Sequence, residues 1–261
     1  MTFMHVLQVE TEGLVARVML NDVEVFADWE GARRVTQTKL DPYLFEGDNR
    51  LDVALTPMTD DEGKVVAGDQ SLAVTIIRGE HGVDPGDAGR VARFAWKPGD
   101  IPVEPGTLTS VWARQFLVRP EHAHGRWAWQ DAPARAPTED DARALVALAG
   151  EAHAALSARD VPALQALTAL RDRELARAVE IPEEEMRAEQ EAYYAEWFAE
   201  PDWAMEPFDP GAFAASAFAR GRLVRVTDPY GGPALKGSGG GRRFAFGVTA
   251  TRVDGAWVLA R

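Results

Sequence analysis

Through the first half of the chain, apolar and polar residues alternate in short runs. Phe3, His5, Leu7 and Val9 fall on one face of such a run, as do Leu14, Ala16, Val18 and Leu20. The pattern returns at Leu51, Val53 and Leu55, at Leu72, Val74 and Ile76, and at Ala92, Phe94 and Trp96. Trp112, Phe116 and Val118 share a face that also carries Arg114. Period-two alternation predicts strands with one apolar face, and seven or eight of them without helices predict an all-β sandwich. Asn21-Asp22 and Gly47-Asp48-Asn49 supply turn residues that tolerate positive φ.

The period then changes to 3.6. Thr138-Glu-Asp-Asp141 forms a capping box with Asp in the place of Glu, and Leu145, Leu148, Ala149, Ala152 and Leu156 make one helical stripe. Asp160 caps a second helix that faces Val161, Leu164, Leu167 and Leu170 inward. A third helix begins at Pro182, with Glu183, Glu184 and Glu185 at the positive end of its dipole, and stops before Pro201. Leu223–Thr227, Phe244–Thr251 and Ala256–Ala260 read as strands, with a hairpin at Asp254-Gly255. Two domains are therefore expected: a β-sandwich over 1–131, a Pro/Ala linker over 132–138, and an α+β domain over 139–261. The second domain has three helices and a small antiparallel sheet.

Composition narrows the function classes. The 261 residues carry 41 acidic against 28 basic side chains, a net charge of −13, which opposes binding to phosphate backbones and anionic lipid. The acidity is shared, −7 over residues 1–135 and −6 over the rest. With no cysteine there is no disulfide, thiolate catalysis or cysteine-ligated zinc. No run of about 18 uncharged apolar residues exists, and the opening Met1–Glu10 lacks the pattern of a secretory signal. The expectation is a cytoplasmic protein without a membrane span.

Two resemblances bear on fold. Leu20-Asn-Asp-Val-Glu-Val25, followed by Asp41-Pro-Tyr-Leu-Phe-Glu-Gly-Asp-Asn-Arg-Leu-Asp-Val53, resembles the galactose-binding-like jelly-roll family. There a strand ends in Asn at a turn, and an Asp-x-x-Leu stretch precedes a Gly-x-Asn-x-Leu-x-Val strand. The resemblance spans roughly residues 14–56 and implies a fold only, because sugar contacts in such folds come from variable loops. The second half is similar to the NTF2-like superfamily, a cone of curved sheet wrapped round helices. The helix over Ala142–Ala158, the Ala158-Arg-Asp-Val-Pro-Ala-Leu164 segment and the terminal Asp254-Gly-Ala-Trp-Val-Leu259 carry that likeness. The acidic helix over 182–199 departs from it, standing where early strands belong, and an unrelated α+β domain is the other reading.

Candidate chemistry is sparse. His122-Ala-His124, with Glu121 beside it, has a spacing used by some metal sites, but Pro120 and Gly125 flank it and favour a surface loop. In Lys236-Gly-Ser-Gly-Gly-Gly-Arg242-Arg243 the lysine precedes the glycines and a strand follows, the reverse of a P-loop, so a mobile connection is expected. Position 236 is also wrong for a Gly-x-Ser-x-Gly elbow. His153 beside Leu156 reads as a structural histidine. No metal, cofactor or nucleotide is therefore expected.

The stretch 180–208 combines ten carboxylates, Glu183, Glu184 and Glu185 among them, with Tyr193, Tyr194, Trp197, Phe198, Trp203 and Phe208. It reads either as an amphipathic helix with its aromatics inward, or as a binding surface. Arg220, Arg222, Arg225, Arg242 and Arg243 downstream can answer those carboxylates within the domain. The expected function is a non-catalytic interaction protein, of the inhibitor or immunity type, for a basic protein partner through Glu183, Glu184 and Glu185. The alternative is a small-molecule binder or enzyme with an aromatic pocket at Tyr194, Trp197 and Trp203. A third reading, a carbohydrate-binding module, depends on Trp127 and Trp129, which would share a strand face.

Overall fold

The computed structural model describes residues 3–60, 62, 64–65, 69–80, 89–120, 123–229 and 231–260. The chain is β-rich with four helices and divides into two compact units, Met1–Arg126 and Trp127–Arg261. No helix among the described residues is long and apolar enough to cross a membrane.

The described residues of unit 1 form eight strands in two antiparallel sheets. β1 (Phe3–Glu12), β4 (Arg34–Lys39), β6 (Ser71–Glu80) and β7 (Gly89–Trp96) form one, in the order β4-β1-β6-β7. β2 (Leu14–Leu20), β3 (Val23–Asp28), β5 (Gly47–Pro57) and β8 (Thr109–Val118) form the other, in the order β3-β2-β5-β8. The alternating residues of β1, β2, β5, β6 and β7 meet in one core that includes Leu7, Leu14, Leu20, Leu51, Leu55 and Ile76, all fully buried. This is sandwich-like packing, in which each sheet removes the other's apolar face from water.

The β2–β3 hairpin turns at Asn21 and Asp22, both at positive φ, as a two-residue turn with right-handed strand twist requires. The turn is locked from beneath. Asn21 Nδ2 donates to Tyr43 O and to Asn49 Oδ1, at 2.9 and 2.8 Å, and Asn21 Oδ1 accepts from the Arg50 amide. Asn49 is 1% exposed and also binds both the amide and the carbonyl of Phe45. β4 is an edge strand whose one apolar residue of strand propensity, Val35, is exposed.

Unit 2 starts with a helix rather than the strand expected for Trp127 and Trp129. α1 (Ala128–Asp131) is a single turn whose first amide donates to Glu174 Oε1 at 2.6 Å. Trp127 and Trp129 are buried as core, and the guanidinium of Arg177 lies 4.2 Å from the Trp127 ring centre. α2 (Glu139–Ala158) opens on the capping box, with the Thr138 hydroxyl accepting from the Asp141 amide and the Asp141 carboxylate accepting from the Thr138 amide. α3 (Val161–Val179) opens on Asp160 and α4 (Glu183–Phe198) on Pro182. α2 and α3 both close at a residue in the left-handed region, Arg159 and Glu180.

Seven strands follow: β9 (Ala204–Met205), β10 (Ala214–Phe218), β11 (Leu223–Thr227), β12 (Leu235–Gly239), β13 (Arg242–Phe246), β14 (Val248–Val253) and β15 (Ala256–Leu259). They pair as β10-β11-β14-β15 and β13-β12-β9, all antiparallel. The single strand expected over 244–251 is two strands in different sheets, divided at Gly247.

The glycine run expected as a mobile connection is a β-hairpin: β12 and β13 pair from Leu235↔Phe246 to Gly239↔Arg242. Gly240 and Gly241, both at positive φ, make its turn. Gly237 has a separate role. A Cβ there would stand 2.9 Å from both the Ala204 carbonyl oxygen and Met205 Sδ, so only hydrogen lets β12 lie against β9. The core joins the α2 stripe to Tyr194, Trp197, Phe198 and Trp203 and to Val224, Leu235, Phe244 and Phe246 from the strands.

Candidate functional site

A cleft of about 170 Å³ opens in unit 2 where three segments converge. α2 contributes His153, the segment after β9 contributes Glu206, Phe208, Asp209 and Phe213, and the end of β11 and the start of β12 contribute Asp228, Leu235 and Lys236. Phe208 sits between the His153 ring and Phe213, with ring centres 5.3 and 5.1 Å away. It reaches α2 at Gly150, where an added Cβ would come within 3.3 Å of the Phe208 ring.

His153 Nε2 lies 2.8 Å from the Glu206 carbonyl oxygen, so that nitrogen carries the proton and donates. The other ring nitrogen, Nδ1, lies 3.5 Å from Ser157 Oγ. Asp228 holds its own turn, with Oδ1 accepting from the Gly232 amide at 2.7 Å, while Oδ2 takes the Lys236 ammonium at 2.5 Å. Asp209 Oδ1 accepts from the Gly211 amide. The polar wall is thus three carboxylates against one ammonium, above an apolar floor of Phe208, Phe213 and Leu235.

The acidic helix presents a second surface. Glu183, Glu184 and Glu185 are exposed on the first turn of α4, and Glu183 pairs with Arg187 at 3.1 Å. Further along, Arg242 binds Glu196 and Glu200 at 2.8 and 3.2 Å and lies 4.5 Å over the Trp197 ring. Those carboxylates therefore have an internal counterion. Glu184, Glu185, Glu189 and Glu191 are exposed and have no cationic partner among the described residues, and Tyr193 beside them is 46% exposed.

The opposite face of α4 is core. Tyr194, Trp197 and Trp203 are 2%, 8% and 7% exposed, and the two tryptophans pack edge-on or tilted against Phe244 and each other. Trp203 Nε1 donates to the Leu156 carbonyl at 3.2 Å. The Tyr194 hydroxyl meets Arg171 at 3.3 Å in a buried network in which Arg171 also binds Asp172 and Thr168 donates to Asp172. Burial pushes the Tyr194 hydroxyl above its ordinary range, against the opposing pull of Arg171. The structure thus separates the six residues singled out above: three glutamates face water and three aromatics fill the interior, and none of the six lines the cleft.

Of the histidine pair, Glu121 and His122 lie outside the described residues. In unit 1, His124 Nε2 is 3.3 Å and His5 Nδ1 2.9 Å from the same oxygen of the buried Asp41, which also accepts from the His5 amide. Burial pushes the Asp41 carboxyl up, but the contacts with His124 and His5 outweigh it and hold it below the usual carboxylate range. No group of three or more histidines and carboxylates among the described residues is placed to hold a metal ion.

Sequence reasoning missed Asp209, Phe213 and Asp228. Their signal was present in Asp209-Pro-Gly211 and Asp228-Pro229, because an aspartate ahead of proline and glycine marks a side chain that caps its own turn. Comparisons with protein-family models, with curated proteins and with solved structures gave no match to this chain.

Proposed function

We propose that the chain is a non-catalytic binding protein that engages a cationic protein partner through the exposed face of α4, in the manner of an inhibitor or immunity protein. One observation carries this reading. Glu184, Glu185, Glu189 and Glu191 project into water with no counterion among the described residues, although the same unit supplies Arg242 to the neighbouring Glu196 and Glu200. The half-exposed Tyr193 gives the acidic face an aromatic anchor, the residue type that most often dominates an interface.

For unit 1 we favour the jelly-roll reading. Counted from β7, its sheet orders become 1-8-3-6 and 2-7-4-5, the strand order of a jelly roll opened between its second and third strands. For unit 2, the paired helices ahead of antiparallel strands and the closing β14–β15 hairpin support the NTF2-like reading, from which α4 departs.

The test is a pull-down of tagged protein from its native lysate at two salt concentrations, repeated with a Glu184→Lys, Glu185→Lys, Glu189→Lys, Glu191→Lys variant. The proposal expects a near-stoichiometric basic protein that is released by salt and absent from the variant. A partner retained equally by the variant would remove α4 as the surface.

A further inference from the structure

We infer that the unit 2 cleft is a binding site for a small organic cation: a primary ammonium group on a compact apolar or aromatic body. This goes beyond the α4 reading and does not rest on it. The volume, about 170 Å³, matches a one-ring molecule, since an apolar cavity of about 150 Å³ holds benzene. The floor, made by the Phe208–Phe213 pair and Leu235, suits such a body.

The polar wall then decides the sign of the ligand's charge. Lys236 and Asp228 neutralise each other, and Asp228 is also committed to the Gly232 amide. Glu206 and Asp209 remain, and neither has a cationic partner among the described residues. An anionic ligand would meet two carboxylates that have no cationic partner among the described residues, and an ammonium that is already engaged. A cation meets those carboxylates together with aromatic faces, which attract positive charge through their quadrupoles. A primary ammonium has three donors and no acceptor, the complement of this set.

The experiment titrates the full chain with three probes of nearly equal shape, benzylammonium, benzyl alcohol and benzoate, and follows backbone amide shifts by NMR. Benzylammonium is expected to saturate, at least about fivefold tighter than benzyl alcohol, with the largest shifts at Phe208, Phe213 and Leu235. Benzoate is expected to give no saturable shift. Asp209→Asn keeps an oxygen for the Gly211 amide, so its turn survives, and it should weaken benzylammonium about fivefold. At about 0.15 M salt, where the overall field is screened, the α4 lysine variant should bind benzylammonium within about twofold of the parent, which separates this site from the partner surface. Benzoate binding as tightly as benzylammonium, saturable shifts centred outside the cleft, or no saturation by any probe would each overturn the inference.

Discussion

Asp141 draws the Thr138 amide and hydroxyl, Arg135, Arg252 and the Trp257 indole onto one carboxylate, although it is only 8% exposed. Burial pushes its carboxyl up, but the hydrogen bonds from Arg252, the Thr138 amide, Arg135 and the Thr138 hydroxyl outweigh that and hold it far below the usual carboxylate range. The folded form therefore releases this proton more readily than the unfolded chain does. The resulting stability is fully present above the unfolded value, about 3.9, and is lost as pH falls below it. Urea titrations at neutral and acid pH should show Asp141→Asn less stable than the parent at neutral pH, with the gap closing in acid; a gap independent of pH would contradict this. Asp141→Ala strands the buried Arg252 and should lower stability by about 3 kcal/mol. Asn49 is the corresponding polar post of unit 1. Its side chain bonds Asn21, both polar backbone groups of Phe45, and the Gly47 carbonyl, so Asn49→Ala, read by the same titration, is expected to cost about 3 kcal/mol by leaving buried groups unpaired.

Among the elements, the glycine-bearing β12 and the acidic α4 pose the sharpest tests. Gly237→Ala forces a methyl group against the Ala204 carbonyl and Met205, and should destabilise by about 1–3 kcal/mol, measured as a shifted urea midpoint at constant slope. A mobile connector would tolerate the same change. On α4, Glu184→Lys with Glu185→Lys should lower stability by about 1 kcal/mol, because neither side chain has an ionic partner among the described residues but both sit at the positive end of the helix dipole. Trp203→Ala, from the same acidic–aromatic stretch, should cost about 3–5 kcal/mol. Two of the elements that escaped the sequence pattern did so for plain physical reasons. β4 is an edge strand of sequence Arg-Val-Thr-Gln-Thr-Lys with no buried residue, so it has no apolar face to alternate. The second half of α3 buries Thr168, Asp172 and Glu174, and its polar interior breaks the apolar stripe expected through Leu170.

For the whole molecule, a charge of −13 means that folding concentrates like charges, and the ion pairs at the surface offset this only in part. Raising ionic strength from about 0.01 M to about 0.15 M shortens the screening length from about 30 Å to about 8 Å. The urea midpoint should therefore rise across that range at neutral pH with little change in slope. A midpoint that falls would mean that surface ion pairs outweigh the self-repulsion. The same field concentrates cations near the chain, which favours both a basic partner at α4 and an ammonium in the cleft, and both associations should weaken with added salt.

Hydrophobic period by itself determined the two-part, β-then-α+β order of this protein, because burying one face of each element is a local requirement written residue by residue. Capping and turn residues likewise determined the α2 cap and the hairpins at Asn21-Asp22 and Asp254-Gly255. Only the tertiary structure decided which polar residues act together. His153, Asp209 and Lys236 come from three separate segments, and His5, Asp41 and His124 from three others. Tyr194, Trp197 and Trp203 carry the same composition in a core as in a pocket, and only their burial, Tyr194 against Phe198 and the two tryptophans against Phe244, settles which it is. Sequence spacing fixes neighbours along an element, whereas this cleft is made by a helix face and two connecting segments that the core holds in place.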